Sequence, residues 1–367
     1  MVEWKKLGDV CAFNRGKTIT AKDAVDGDIP VIAGGQTPSY YHNEFNREGE
    51  SITVAGSGAY AGFVSYWNQP IFVSDAFTID PLKGLKHKYL FHWAKMNQGR
   101  IIATQKGAGV PHVHGKDIAK FLIPIPSLSE QQRIVSILDT FTSSISNLKQ
   151  QIEERRKQYE YERDLLLDLE GKEGVEMKKL GEVCTFSQGI QVPVEQQILE
   201  KKEGYCRFLR IIDFTQGEEP PRYVPISDKN YYVDVDDIAM VRYGSPGFVC
   251  VGKRGIIANN LFKVNIINSD FVTKLFLACL LKSKLFQKQI KQKSLGGALQ
   301  AISFGLLRNI ILPFPPLSTQ SRIVSILDTF EQSISNLEEQ LAMREKQYEY
   351  YRNQLLTFEG EEERGKT

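Results

Sequence analysis

The chain of 367 residues carries one long segment twice. IPIPSLSEQQRIVSILDTFTSSISNLKQQIEERRKQYEYERDLLLDLEG (123–171) returns as LPFPPLSTQSRIVSILDTFEQSISNLEEQLAMREKQYEYYRNQLLTFEG (312–360), with 31 of 49 aligned positions identical. A second echo opens each half, EWKKLGDVCAF (3–13) and EMKKLGEVCTF (176–186). Repetition at this level marks a duplicated structural unit. Between the echoes the halves diverge. Two variable modules are therefore carried on two near-copies of one scaffold, an arrangement suited to reading two different things.

The repeated segment reads as a helix of about 38 residues, roughly 57 Å long. Ile134, Leu138, Phe141, Ile145, Leu148, Ile152, Arg155, Tyr159, Glu162, Leu166 and Leu169 follow one another at alternating steps of four and three. So do Ile323, Leu327, Phe330, Ile334, Leu337, Leu341, Arg344, Tyr348, Tyr351, Leu355 and Phe358. This is a heptad stripe. It is too long for a small module to cover, so the two copies are expected to bury each other as an antiparallel pair. Modules at opposite ends and an approximate two-fold axis follow. Ser129, with Gln132 three residues on, reads as a capping box; the second copy offers Ser318 but Ser321 in place of the Gln. Prolines 124, 126, 313, 315 and 316 bar helix before these starts. Gly171 and Gly360 stand where C′ glycines are expected. Arg155 and Arg344 interrupt the stripe at equivalent places, where they either set register or pair with Glu across the seam, or simply snorkel.

Charge is distributed unevenly along the chain. The variable stretches 1–122 and 172–311 carry net +3 and +6, whereas 123–171 and 312–367 carry −3 and −4. Basic modules on acidic helices fit polyanion binding by the modules. No signal peptide opens the sequence, and its longest strongly apolar stretch, 275–281, is far too short to span a bilayer. Cys11, Cys184, Cys206, Cys250 and Cys279 lack CxxC spacing and read as reduced core residues of a cytoplasmic protein.

Within the modules the patterns are short and β-like: IPVIAGG, SITVAG, GFVSYW and IFVSDAF in the first, RFLRI, RYVPI, DIAMVRYG, GFVCVGKRG and FKVNI in the second. One helical segment follows in each, near 88–104 and 271–291. GFV at 62–64 matches GFV at 247–249, and Phe77 matches Phe262 at the same offset. TQKGAGVPHVHGKDI and KQKSLGGALQAISFG occupy matching places before the long helices. The expected fold class is α+β: two mixed α/β modules, 1–122 and 172–311, separated by a long antiparallel coiled-coil helix pair formed by 123–171 and 312–367, with pseudo-two-fold symmetry.

Little in the sequence suggests catalysis. GSGAYAG (56–62) reads as a turn or strand bulge rather than a nucleotide loop, and GK[ST] does not occur. His112 and His114 form HxH without further ligands at metal-site spacing. No NPPF-like or DPPY-like motif is present, and PFPP at 313–316 is a helix-entry turn. Binding features are richer. Gln36, Tyr40, Tyr41, Ser57, Tyr60, Lys106, His112, His114 and Lys116 fall in or beside the glycine-rich loops of the first module. Arg222, Arg242, Tyr243, Ser245, Lys253, Arg254, Lys293 and Gln300 do so in the second. Such side chains can read base edges and hold phosphates.

The opening WKKLGDV (4–10), echoed by MKKLGEV (177–183), and the P-x-P-x-L-S-x-Q-x-R-I-V signature before each long helix resemble the specificity subunits of type I restriction–modification systems. The resemblance covers essentially the whole chain. It implies a non-catalytic subunit with two target-recognition domains, each reading half of a bipartite duplex target, and helices that act as a ruler for the gap. It also implies docking of two modification subunits, which hold S-adenosylmethionine and methylate adenine, and association with restriction subunits. This chain would carry no cofactor itself. A non-DNA adaptor with two ligand-binding modules, or a methyltransferase with an unrecognised motif, are the rival readings; salt-dependent duplex binding and methyl-donor binding discriminate them.

Overall fold

The computed structural model describes residues 2–107, 109–215, 219–226, 229–293 and 301–358. The chain divides into two compact units, residues 1–150 with 338–367, and residues 151–337. Each unit thus combines one variable module with the N-terminal part of one long helix and the C-terminal part of the other.

In the first unit, Cys11–Arg15, Ala76–Pro81, Glu50–Ala55 and Val64–Asn68 form an antiparallel sheet in that order. Tyr40–His42, Ile29–Ile32 and Phe72–Val73 form a mixed second sheet. Glu50–Ala55 shows why an alternating strand reads here as a continuous run. Ile52 and Val54 face the helix core, while the other face buries Ser51 and Thr53, whose hydroxyl accepts the Trp67 indole N–H at 3.0 Å. The second unit repeats the plan with Cys184–Gln188, Leu261–Ile266, Ile238–Val241 and Val249–Cys250, and with Arg222–Pro225, Tyr205–Leu209, Gly255–Ile257 and Tyr232–Val233. The opening echo forms an edge strand in each unit: Glu3–Lys6 pairs with Leu122–Ile125, and Glu176–Lys179 with Ile311–Phe314.

The helical segment expected in each module is broken in two. His87–Met96 and Gln98–Ile102 meet at Asn97, whose side-chain amide donates to the Trp93 carbonyl. Lys274–Lys282 and Lys284–Lys293 meet at an extended Ser283. Tyr89, Leu90 and Trp93 pack with Ile134 and Leu138 in one core, and Phe276, Leu277 and Leu280 with Ile323 and Leu327 in the other.

The long helices span Leu128–Leu166 and Leu317–Leu356, 39 and 40 residues. Within each unit the two helix segments run antiparallel. In the first, Phe141 stacks on Tyr351 at 5.2 Å and Lys149 pairs with Glu345 at 2.9 Å. In the second, the Tyr159 hydroxyl donates to Glu331 at 2.7 Å. Of the two heptad stripes all but one residue is buried or half-buried; Tyr351 is 44% exposed. Leu167 and Leu356, one position beyond the expected Leu166 and Leu355, are only 1% and 0% exposed. Leu167 lies just past the end of its helix, where the chain turns into the core, and Leu356 is the last residue of the other, so both shifts fall at the helix ends.

The helix starts also differ from expectation. Ser127, not Ser129, is the first cap: its hydroxyl accepts the Glu130 N–H at 3.3 Å, and Ser129 already lies in the helix. In the second copy Pro316 occupies that place, its carbonyl accepting the Gln320 N–H at 3.0 Å, and Ser318 is likewise inside the helix. Proline's fixed φ brings the chain into its first turn without a side-chain cap. The first helix ends at Leu166, because Leu167 and Leu169 turn into the core; Gly171, with φ 75°, serves a later turn, and Gly360 lies outside the described residues.

Cys11, Cys184 and Cys250 are buried, and burial pushes each thiol up to about 12; Cys206 and Cys279 are partly buried, and all five are unpaired. Among the described residues no helix is long and apolar enough to cross a membrane.

Candidate nucleic-acid interface

A shared backbone frame positions the loops of both units. Gly16 follows strand Cys11–Arg15, and a Cβ there would stand 2.1 Å from the Ser74 carbonyl oxygen. Gly189 follows Cys184–Gln188, and its Cβ would stand 2.2 Å from the Ala258 carbonyl oxygen. Only glycine permits this approach. Opposite, the Val113 N–H donates to Gly56 at 3.0 Å and the Ile302 N–H to Arg242 at 2.9 Å. Isolated bridges join Ser57 with His112 and Tyr243 with Ala301. Arg15 therefore corresponds to Gln188, Gly56 to Arg242, Ser57 to Tyr243, Asp75 to the Asn259–Asn260 pair and Gly115 to Phe304.

In the first unit this frame encloses an open cleft of about 520 Å³, whose lining includes Arg15, Asp75, His112, His114 and Lys116. The Ser57 hydroxyl donates to the Asp75 carboxylate. The His112 and His114 rings lie parallel, 6.3 Å apart. Lys106 exchanges backbone hydrogen bonds with His112 and pairs through its ammonium with Asp117 at 2.7 Å; that hydrogen bond holds the Asp117 carboxyl below the usual carboxylate range. Gln36, exposed, follows Gly34, where a Cβ would stand 2.5 Å from the Ser57 carbonyl oxygen. The structure thus brings together Ser57, Lys106, His112, His114 and Lys116, with the Gln36 loop adjoining. Tyr40 is engaged elsewhere, its hydroxyl donating to Ile19 at 2.6 Å, and Tyr41 and Tyr60 are exposed. GSGAYAG forms the turn between Glu50–Ala55 and Val64–Asn68, with Gly58 and Gly62 at positive φ. Among the described residues no group of His, Cys, Asp and Glu has the arrangement of a metal site.

In the second unit the corresponding space is filled. The Arg242 guanidinium lies over the Phe304 ring at 5.1 Å and donates to the Gln188 side-chain carbonyl. Gln188 in turn donates to the carbonyls of Asn259 and Leu261. The Tyr243 hydroxyl donates to the Asn259 carbonyl at 2.9 Å, and Ser245 lies exposed in the same loop. Phe304 stacks on Phe186 at 5.5 Å. Arg222, Lys253 and Arg254 are committed elsewhere. Arg222 donates to Gln197 at 3.0 Å, Lys253 to the Asp213 carbonyl, and Arg254 pairs with Asp234 at 2.8 Å. Lys253 and Arg254 line a different depression, with Tyr205, Tyr223 and Tyr232. The Lys293 side chain and Gln300 lie outside the described residues. Arg15, Asp75, Gln188 and Asn259 escaped the sequence reading. Each lies in or beside a strand, without a recognisable motif around it.

These features define a class: a chain presenting two versions of one polar, loop-built surface on a duplicated scaffold. The family model for the type I restriction modification DNA specificity domain matches residues 1–155 and again 172–343. The chain belongs to that family. It is 29% identical to a Haemophilus influenzae protein described as a type I restriction enzyme specificity subunit, over 97% of this chain and 96% of the relative. It is 27% identical to the Escherichia coli EcoR124I/EcoR124II specificity subunit, over 97% and 94%. The solved S subunit of a type I restriction–modification system from M. genitalium shares the fold, with a TM-score of 0.63, 19% identity and 97% coverage of both chains.

Proposed function

We propose that this specificity subunit reads a bipartite duplex target, one half through the frame of each unit, and assembles with two modification subunits and with restriction subunits in the cytoplasm. One observation carries the reading: an equivalent backbone frame presents Arg15, Asp75, His112, His114 and Lys116 in one unit and Gln188, Arg242, Tyr243 and Asn259 in the other. The phosphate backbone is the same in both half-targets and the bases differ, so two readers on one plan must share backbone geometry and differ in side chains. Ser57, Lys106, His112, His114 and Lys116 serve the first half-target; Arg242, Tyr243 and Ser245 serve the second. S-adenosylmethionine belongs to the modification subunits, where adenine is methylated, and this chain supplies recognition alone.

The test is a domain exchange. Replacing residues 14–122 with those of another family member is expected to change one half-target and leave the other intact, read by methylation mapping of host DNA. A change in both halves would defeat the assignment of one half to each unit. The purified chain alone is expected neither to methylate nor to cut DNA, and binding by the assembled complex should be duplex-specific and fall with salt, unlike that of an adaptor for protein or glycan.

A further inference from the structure

The two units differ most sharply at one point of their common frame. Gly56 and Gly115 leave the first cleft open, whereas Arg242 and Phe304 fill the equivalent place in the second. We propose that Arg242 is the guanine-reading residue of the second half-target, with Gln188 as its positioning residue. The inference rests on the DNA-recognition reading above and names the base that this site selects.

Three observations carry it. First, Arg242 has no acidic partner among the described residues, whereas Lys106, Arg210, Arg222 and Arg254 each lie within salt-bridge distance of an acid. Second, it is held in place. Its backbone N–H donates to Asn260 at 2.8 Å and its carbonyl accepts from Ile302. Its guanidinium carbon lies 5.1 Å from the centre of the Phe304 ring, and Gln188, locked by two backbone carbonyls, accepts one of its donors. A phosphate contact tolerates a mobile point charge. Base reading requires the planar fork to be fixed beforehand, since ordering it on binding would cost affinity. Third, a phosphate-holding residue should recur in both units, but Arg242 does not, because Gly56 stands in its place. In the major groove, guanine presents O6 and N7 as two adjacent acceptors matching the arginine fork.

The experiment uses the subunit assembled with its modification subunits and the target found by methylation mapping. Competition binding is measured against duplexes in which each base pair of the second half-target is changed singly. The wild-type complex is expected to discriminate about 10- to 100-fold at a G·C pair of that half. Arg242→Ala should lose discrimination at that pair and keep it at every other position, the whole first half-target included. Substituting 7-deazaguanine there, which removes N7, should weaken wild-type binding and leave Arg242→Ala binding unchanged. Arg242→Lys, which retains the charge and loses the fork, should behave like the alanine variant, and it carries the test if the alanine variant does not fold. A uniform loss of affinity with discrimination intact, no change at all, or a second half-target without a G·C pair would overturn the assignment. A wild-type complex with no preference among duplexes would instead overturn the DNA-recognition reading itself.

Discussion

Arg155 lies over the ring of Phe330, its guanidinium carbon 5.9 Å from the ring centroid. The duplicated positions repeat the contact in the other unit, where Arg344 lies over Phe141 at 5.8 Å. The break in each apolar stripe is therefore a packed residue. The guanidinium covers an aromatic face of the facing helix, a cation–π contact distinct from plain snorkelling into water. Replacing Arg155 by Met and Phe330 by Leu, singly and together, should give a coupling of about 1 kcal/mol in a double-mutant cycle read by chemical denaturation. A coupling near zero would show that the ring only fills space.

Gln131 and Gln320, both fully buried, tie each long helix to its module. The Gln131 amide accepts the Lys86 N–H at 2.9 Å and donates to the Gly84 and Pro126 carbonyls. Gln320 does the same with Thr273, Phe271 and Pro315. Gln131→Ala removes the buried hydrogen bond to the Pro126 carbonyl and the two part-buried ones to Lys86 and Gly84, and should destabilise its unit by about 1–3 kcal/mol. The neighbouring exposed Gln132→Ala should change stability by less than about 0.5 kcal/mol. Denaturant midpoints of the two variants make the comparison.

His92 lies buried between Tyr348, whose hydroxyl is 2.9 Å from Nδ1, and Asp139, whose carboxylate is 3.1 Å from Nε2. Burial lowers its pKa from the ordinary 6.5, against the opposing pull of Asp139. The unfolded chain thus takes up a proton at higher pH than the native one. The stability that neutral His92 contributes is complete above pH 6.5 and is lost as pH falls from there through the lowered folded value. Asp139, held below the usual carboxylate range because hydrogen bonds from His92 and Lys88 outweigh its burial, adds a further loss only below about pH 4. His92→Gln should flatten the pH dependence of thermal unfolding between pH 7.5 and 5.5. A variant as pH-sensitive as the wild type would place the titration elsewhere.

The long helices are expected to set the gap between half-targets. Four residues inserted at equivalent places in both copies add about 6 Å of helix and about 40° of rotation. Against about 3.4 Å per base pair, the gap should grow by one or two pairs while both half-target sequences stay the same. Methylation mapping reads the result; an unchanged gap in a folded, active complex would show that other parts of the assembly set the spacing.

The duplication, the two long helices and the stripe that joins them were legible in the sequence, because 3.5- and 3.6-residue periodicities are local and persist over some forty residues. The strand runs were legible as short β-branched and aromatic stretches between glycines. Cap positions and the shift to Leu167 and Leu356 were not, since they depend on how each helix end meets its module. Composition beside glycines picked out Ser57, His112, His114, Lys116, Arg242 and Tyr243, which lie on the two frames, and equally Arg222, Lys253 and Arg254, which lie elsewhere. Only their partners Gln197, Asp213 and Asp234 separate them.

The sequence by itself thus determined the family, the pairing of two near-identical scaffolds and the presence of a basic, glycine-punctuated module on each. Tertiary structure alone decided which side chains meet. Arg15 and Asp75 reach His112 and His114 across separate strands, and Gln188, Arg242, Asn259 and Phe304 converge from segments far apart in the chain. That convergence is made by long-range strand pairing and by close backbone approach at Gly16 and Gly189, interactions that leave no periodic mark on the sequence around the residues they position.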